Sequence, residues 1–583
     1  MKWVRKLQDK LTGLTDAITR YPLTTLFLIG AAIIDAYMIS TGKDNPKFLL
    51  TFIVGAFLSA VSQVVYERFY SKFSIRLVLM GLVVLLTAGY YLIIRHAPTL
   101  SMEVEIRTIV ALFALLIAFI WVPVIKSPIS FNTSFMIAFK SFFNSLFFSG
   151  VIFGGISIIL TAVDQLIFTI DSNAYPHTAN IVFILFAPMY FLSLIPIYRK
   201  VEDNKEEVNM AAHCPKFLEI LISYIVIPLI AVFTLILVIY IFKNIGGKFW
   251  TDNLLEPMIV SYAITVILVY ILASEIENKF TAYFRKIFPK VLIPIVLFQV
   301  VSSVISLSDT GVTHTRYYVI LFGIYSAIAG ILLSFLPVRK NGVIAALLII
   351  FATVSIVPPV DAFTVSRNSQ IGTLKNALVK NDMLEKNKIK PNANISNQDK
   401  KIITNAIQYL YMMEYTKEID WLPDDFNAYE DFNDTFGFRE YQEPQDSEHP
   451  IYLSIKQTNP INITGFDTFV QTDISTYDKN TLEFDAFEKA GKKYILSKDY
   501  KKDQAIFTLK GDNNRELISF NTQEIYDKFY DFPSNKDLLA LKDATLSKEN
   551  DAAKITIVVQ SVTIDKQNPQ NNNALLYVFV QIK

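Results

Sequence analysis

From Pro22 to Val360 the chain is a series of long apolar runs with short polar breaks between them, and at Asp361 that pattern stops. The runs cover about residues 22–40, 48–66, 74–94, 108–125, 141–162, 181–198, 217–242, 258–274, 291–307, 317–337 and 341–359. A hydrocarbon layer roughly 30 Å thick takes about 20 helical residues to cross, because lipid offers no partner to an unpaired peptide group. The pattern therefore predicts a polytopic all-α membrane domain of about 11 transmembrane helices over residues 22–360, preceded by a polar N-terminus at 1–21. The first run reads as a span and not as a cleavable signal, since it is long and no small-residue cleavage pattern follows it.

Residues 361–583 are polar and follow different periods. Ile371, Leu374, Ala377, Leu378 and Leu384 make one helical stripe, and Ile402, Ile403, Ile407, Leu410 and Tyr411 make another, with Pro391 to Ser396 between them. Short β-type runs follow at 452–457, 466–474, 494–497, 505–509, 517–520, 555–562 and 575–582, and 521–530 reads as a short helix. The last two runs flank the polar turn Asp565–Asn573 and predict a closing hairpin. The expected fold is thus a membrane domain followed by an extracytoplasmic α+β soluble domain.

Charge supplies the side. Residues 1–361 hold 27 Lys/Arg against 20 Asp/Glu, a balance of +7, and residues 362–583 hold 27 against 33, or −6, which together give the chain's +1. Positive residues gather in alternate loops: Lys2, Arg5, Lys6, Lys10 and Arg20 precede the first span, and Arg68, Lys72, Arg76, Lys126, Lys140, Arg199, Lys200, Lys205, Lys216, Lys279, Arg285, Lys286, Lys290, Arg339 and Lys340 fall in loops of the same parity. The opposite loops hold only Lys43, Lys47, Arg95, Arg107, Lys243, Lys248 and Arg316. The positive-inside bias puts the N-terminus in the cytoplasm and, after an odd number of spans, the C-terminal domain outside. The single thiol, Cys214, lies in an inside loop, so no disulfide framework forms.

Ionisable and amide groups at membrane depth are costly, which makes each a candidate functional site. Asp35 in the first run, Asp164 at the end of the fifth and Gln299 in the ninth form the candidate intramembrane polar site. Glu67 beside Arg68 reads as interfacial. The five histidines, His96, His177, His213, His314 and His449, show no paired-ligand spacing, and no nucleophile elbow, phosphate loop or dinucleotide fingerprint is present, so the pattern points to no catalytic set, cofactor or metal. Asp424, Asp425, Glu430, Asp431 and Asp434 lack calcium-loop spacing and read as a solvated acidic loop. The stretch Glu275–Lys290 sets Phe280, Tyr283, Phe284, Ile287 and Phe288 against Lys279, Arg285, Lys286 and Lys290, a basic amphipathic pattern suited to an anionic leaflet or to a plain charged connector.

Three segments carry a resemblance. Arg20-Tyr21-Pro22-Leu23-Thr24, Thr313-His314-Thr315-Arg316-Tyr317-Tyr318, and Pro358-Pro359-Val360-Asp361-Ala362-Phe363-Thr364-Val365-Ser366-Arg367-Asn368-Ser369-Gln370 together resemble the bacterial membrane family known as domain of unknown function 4153. The resemblance runs through the membrane part to about residue 420 and implies a bacterial integral membrane protein, with no activity or site residue to carry over. The expected partners are the lipid bilayer and an extracytoplasmic protein or glycan, with no nucleic acid. The leading functional expectation is a cell-envelope sensor or scaffold whose exported domain binds a partner or ligand. The alternative is a transporter or flippase-like permease with that domain over its outer mouth.

Overall fold

A computed structural model describes residues 13–95, 100–198, 205–244, 255–423, 425–441, 450–456, 460–475, 481–501, 504–530, 532, 538–566 and 568–583. His96, Asp424, His449 and the basic residues Lys2, Arg5, Lys6, Lys10, Arg199, Lys200 and Lys248 lie outside the described residues. The chain divides into two compact units, Met1–Tyr441 and Gln442–Lys583.

The first unit is helical. α1 (Pro22–Thr41) and α2 (Pro46–Phe69) each begin on a proline, whose missing N–H falls where a helix has no acceptor to offer, and α1 ends on Gly42 in the left-handed region. α3 (Phe73–Ile94) and α4 (Met102–Trp121) follow, then α5 (Phe131–Leu166), with Ser101 and Ser130 capping the last two. α6 (Ala174–Ser193) contains a π-helical segment, Asn180–Phe186. α7 (Lys205–Ala212) leads to α8, built of Lys216–Ile220, a π-helical Leu221–Val226 and Ile227–Asn244. α9 (Leu255–Ala273), α10 (Lys279–Thr310, capped by Asn278) and α11 (His314–Phe335, capped by Thr313) complete the long helices.

Among the described residues ten helices are long and apolar enough to cross a membrane, and large side chains such as Leu85, Ile93, Phe147 and Ile158 are exposed on them. That much exposed apolar surface matches lipid and not water. The protein is an integral membrane protein. The eleventh apolar run forms only α12 (Gly342–Val354), 13 residues or roughly 20 Å of helix. Its start lies against Trp121, at the end of α4, and past its end the Ile356 carbonyl meets Arg107 near the start of α4, so α12 runs antiparallel along that helix.

Close helix contacts rest on glycine. Gly30 faces the Phe52 ring and Gly55 faces the Phe27 ring, which interlocks α1 and α2 reciprocally. Gly323 and Gly330, two turns apart on α11, let that helix approach Val300, Ile293 and the Pro289 carbonyl of α10.

The polar segment after Asp361 starts inside this unit. α13 (Ala362–Lys380) and α14 (Asn397–Met412) pack as a hairpin over a core of Phe363, Leu374, Leu378, Ile403, Ile407, Leu410, Phe432 and Phe436, to which Ile106, Tyr317 and Tyr318 of the long helices are added. The two helical stripes read from the sequence form this core, except that Leu384 belongs to the two-residue strand β1 (Leu384–Glu385), paired with β2 (Lys388–Ile389).

The second unit is β-rich and mostly antiparallel. One sheet has the order β10 (Leu538–Leu539), β3 (Ile451–Ile455), β12 (Ala553–Ile564), β13 (Asn573–Ile582) and β4 (Thr468–Ser475), with β11 (Thr545–Glu549) also on β12. The other has β5 (Leu482–Glu483), β7 (Lys492–Lys501), β8 (Gln504–Lys510) and β9 (Glu516–Asn521), with β6 (Phe487–Lys489) on β7. β12 and β13 form the expected closing hairpin, and α15 (Gln523–Tyr530) buries Ile525 and Phe529 in the shared core. The fold is therefore a helical membrane domain followed by an α+β region.

Candidate functional site

The three residues singled out at membrane depth fall in three separate places. Asp164 is half-buried at the end of α5, where its Oδ1 accepts the Ile170 N–H at 2.7 Å, so it caps the following turn. Gln299 is buried on α10, and its Nε2 donates to Ser303 Oγ at 3.0 Å, while Ser303 donates in turn to a Glu256 carboxylate oxygen on α9. Glu256 went unread because it sits just before its apolar run. The polar spacing of Gln299, Ser303, Ser306 and Thr310 along one helix was the available signal.

Asp35 is half-buried on α1, in line with Thr24, Leu28 and Ala31 on the buried stripe. Beside it, Asn180 opens the π-helical segment of α6 and is 4% exposed. The Asn180 Nδ2 donates to the Ala32 carbonyl at 2.9 Å, one turn before Asp35, and its Oδ1 has no hydrogen-bond partner among the described residues. Nearer the helix ends, Ser40 Oγ and His177 Nε2 are 3.1 Å apart.

Two denser networks lie at opposite ends of α4. At its C-terminal end Arg20 grips Glu67 with two bonds of 2.8 and 2.7 Å and donates to the Ile195 carbonyl at 2.6 Å. Arg76 donates to Gln63 and to the Arg20 carbonyl, and Arg68 to the Ile125 carbonyl. The paired forks tie α1, α2, α3 and the ends of α4 and α6 together. Glu67 is thus held by Arg20 across the bundle and not by its neighbour Arg68.

At the N-terminal end Arg107 bridges Glu103 at 2.8 Å and Asp361 at 2.7 Å, and its guanidinium lies 5.1 Å from the Phe363 ring centre. Asp361 is fully buried, and its Oδ1 also accepts from the Phe363 and Thr364 backbone N–H groups, capping α13. Burial pushes its carboxyl up, but the Thr364 and Phe363 hydrogen bonds and the Arg107 charge outweigh that and hold it below the usual carboxylate range. Tyr415 donates to Glu103 at 2.6 Å, and burial together with that carboxylate raises its phenol.

His314, first residue of α11, completes this end. The Tyr409 hydroxyl accepts the His314 backbone N–H at 3.1 Å and donates its one proton to Ser366 Oγ at 2.9 Å. Its 3.0 Å contact with His314 Nδ1 therefore requires the proton to be on Nδ1. The His314 ring also stacks on Phe363, 5.8 Å between centres. Gln370 donates to the Thr310 and Val312 carbonyls, and Ser369 accepts the Val312 N–H. Two of the sequence motifs, 313–318 and 358–370, thus interlock through residues on both.

The second unit carries an open groove of about 840 Å³ on one face of its larger sheet. Alternation along β3, β4, β12 and β13 brings Tyr452, Phe469, Tyr577 and Phe579 to this face, with Ser454, Ser561 and Gln560 among them and Ile461, Ile463 and Lys456 at the edge. Phe469 stands 5.1 Å from Phe579 and 5.7 Å from Tyr577, ring centre to ring centre. Gln471 Nε2 reaches Gln560 Oε1 at 3.4 Å. A face of flat rings interleaved with neutral amides and hydroxyls can stack and hydrogen-bond a polar ligand.

The architecture defines a class: a polytopic helical membrane protein that carries an α+β region behind its spans. The family described as Domain of unknown function (DUF4153) matches residues 23–391, well over half of the chain, and the chain belongs to that family. The match covers all the long helices and ends within the hairpin that follows them, before the β-rich unit. No curated protein and no solved structure matches.

Proposed function

We propose that this membrane protein is a cell-envelope sensor or scaffold whose C-terminal region binds an extracytoplasmic protein or glycan. The groove on the β-sheet carries the reading: Tyr452 and Phe469 are 57% and 50% exposed there, an aromatic surface open to a ligand. The loop charges support a cytoplasmic N-terminus at 1–21, a membrane domain over 22–360 in a bacterial cytoplasmic membrane, and residues 361–583 outside. Neutral amides and hydroxyls between the rings favour an uncharged, hydroxyl-rich ligand such as a cell-wall glycan. The test is binding of the full-length protein in nanodiscs to a panel of cell-wall glycan fragments. Phe469→Ala and Tyr577→Ala should each weaken a positive interaction about tenfold, the loss of one buried aromatic contact. No binding by the wild type, or binding indifferent to both changes, would overturn the reading.

One observation favours the alternative, a permease. Asn180 Oδ1 is buried at membrane depth with no hydrogen-bond partner among the described residues, and Asn180 is held to the Ala32 carbonyl one turn before Asp35, a polar spot that a proton or cation would complete. In that case Asp35→Asn abolishes proton- or substrate-linked flux in vesicles, and unchanged flux removes Asp35 from any pathway.

A further inference from the structure

The first three turns of α10 present a surface that neither reading uses. α10 has 32 residues, about 48 Å of helix at 1.5 Å per residue. A hydrocarbon core is about 30 Å thick and a whole bilayer with headgroups about 40–45 Å. At ordinary tilts a helix this long reaches through the headgroup layer, and its polar start, residues 279–290, is the part that lies there.

Helical spacing sorts these residues into three strips. Thr281, Phe284 and Pro289 are buried against the bundle, and Phe284 stacks on Phe288. Phe280, Tyr283 and Ile287 are exposed on the adjoining strip. Lys279, Lys286 and Lys290, spaced i, i+7 and i+11, form an exposed row next to the apolar strip. The apolar strip continues onto α8. Tyr224 packs edge-on against Phe280 at 5.2 Å, and Phe217, Ile220 and Tyr224 are all exposed, with exposed Lys216 at the start of that helix.

In water this would be a costly patch of aromatics. In the headgroup layer it has a partner on both sides: ring and aliphatic faces meet the glycerol and upper acyl region, and ammonium groups meet phosphates. The acids nearby do not cancel the lysine row. Glu275 is turned to Ser130 and Thr133 at the start of α5, and Glu219 is half-buried, which among the described residues of α8 and the turn before α10 leaves Glu277 as the exposed acid.

We propose that this face is a binding site for anionic phospholipid, with Lys279, Lys286 and Lys290 on headgroup phosphates and Phe280, Tyr283, Ile287 and Tyr224 on the glycerol–acyl boundary. The occupant is a lipid and not a soluble anion, because the lysine row is continuous with the apolar strip.

The test uses the full chain in neutral detergent, with the thermal midpoint followed as phosphatidylglycerol or phosphatidylcholine is added. The wild type should be stabilised at lower concentrations of phosphatidylglycerol, and that preference should shrink as salt is raised. The K279Q/K286Q/K290Q variant should lose about tenfold or more in apparent phosphatidylglycerol affinity, with phosphatidylcholine unchanged. The control K386Q/K388Q/K417Q, three exposed lysines of the α13–α14 hairpin region, should keep the preference. Equal response of the wild type to both lipids overturns the proposal, as does a preference insensitive to salt or retained by K279Q/K286Q/K290Q. Inorganic phosphate at equal concentration should do nothing; equal stabilisation by it would make this a plain anion site and overturn the lipid assignment.

Discussion

Arg107 and Asp361 are 254 positions apart and form an ion pair of 2.7 Å in which the carboxylate is fully buried. A buried charge that loses its partner costs about 3–5 kcal/mol, because desolvation is no longer offset. Arg107→Gln should therefore destabilise the helical unit by about 3 kcal/mol, toward the lower end because the guanidinium is 23% exposed and Asp361 keeps its two backbone donors. Asp361→Asn should cost less, since the amide oxygen still caps α13 and the neutral side chain strands no buried charge. Thermal unfolding of both variants in detergent checks the order; Arg107→Gln at or below Asp361→Asn in cost would refute it.

The same junction should limit stability at both ends of the pH scale. Asp361 is held below the ordinary carboxylate range, so its contribution is fully present above about 4 and is lost as pH falls through its lowered value. Tyr415 is raised, so its bond to Glu103 contributes below about 10 and is lost as pH climbs through the raised value. Stability measured against pH should show an acid loss that Asp361→Asn reduces and an alkaline loss that Tyr415→Phe reduces. An acid limb identical in Asp361→Asn and wild type would show that other carboxylates govern it.

The spans were readable because apolar runs of twenty residues have one stable solution in lipid, and their order came through; the polar first turns of α5 and α10 did not, so those helices begin at Phe131 and Lys279, well before their apolar runs at 141 and 291. The eleventh run was apolar throughout, yet its helix ends at Val354; the turns through Ser355 to Val360, with Pro358 and Pro359, are what bring Asp361 to Arg107. Strands such as β5 and β10 are two residues long and leave no periodic trace. The hairpin 362–412 showed as two stripes, but nothing local could say that it packs on the long helices, since the bonds that hold it join residues such as His314 and Tyr409, 95 apart. Of the depth residues, Asp164 serves a turn and Gln299 a bond along its own helix to Ser303, which in turn reaches Glu256 on α9. Hydropathy marks such residues as costly without saying which are satisfied; near Asp35 the Asn180 Oδ1 has no partner among the described residues.

Glycine substitutions should separate tight helix contacts from open ones. A Cβ on Gly330 would fall 3.0 Å from the Pro289 backbone carbonyl, which cannot rotate away, whereas on Gly323 it would meet the Val300 and Gln299 side chains. Gly330→Ala should cost about 1–3 kcal/mol, the range for overpacking, and Gly323→Ala less, through rotamer changes. Gly89, with nothing within 4 Å, should accept alanine at no cost. Unfolding midpoints in the order Gly89→Ala, Gly323→Ala, Gly330→Ala from highest to lowest are expected, and a neutral Gly330→Ala would contradict the close approach of α10 and α11.

Tyr409 is the hydroxyl on which the two interlocked motifs turn. It takes the buried His314 N–H, meets Nδ1 and gives its proton to Ser366. Tyr409→Phe keeps the ring contact with His314, 5.7 Å between centres, and removes only the oxygen. The His314 backbone donor and the Ser366 hydroxyl are then left without that partner, and an unsatisfied buried donor costs about 1–3 kcal/mol. Ser366→Ala removes an acceptor that the Tyr409 proton can replace only with difficulty, and it should cost less, about 1 kcal/mol. Because both act through one hydrogen-bonded chain, the double variant should fall well short of the sum. A thermodynamic cycle on the full-length protein measures this directly, and strict additivity would mean that Tyr409 and Ser366 stabilise the junction independently.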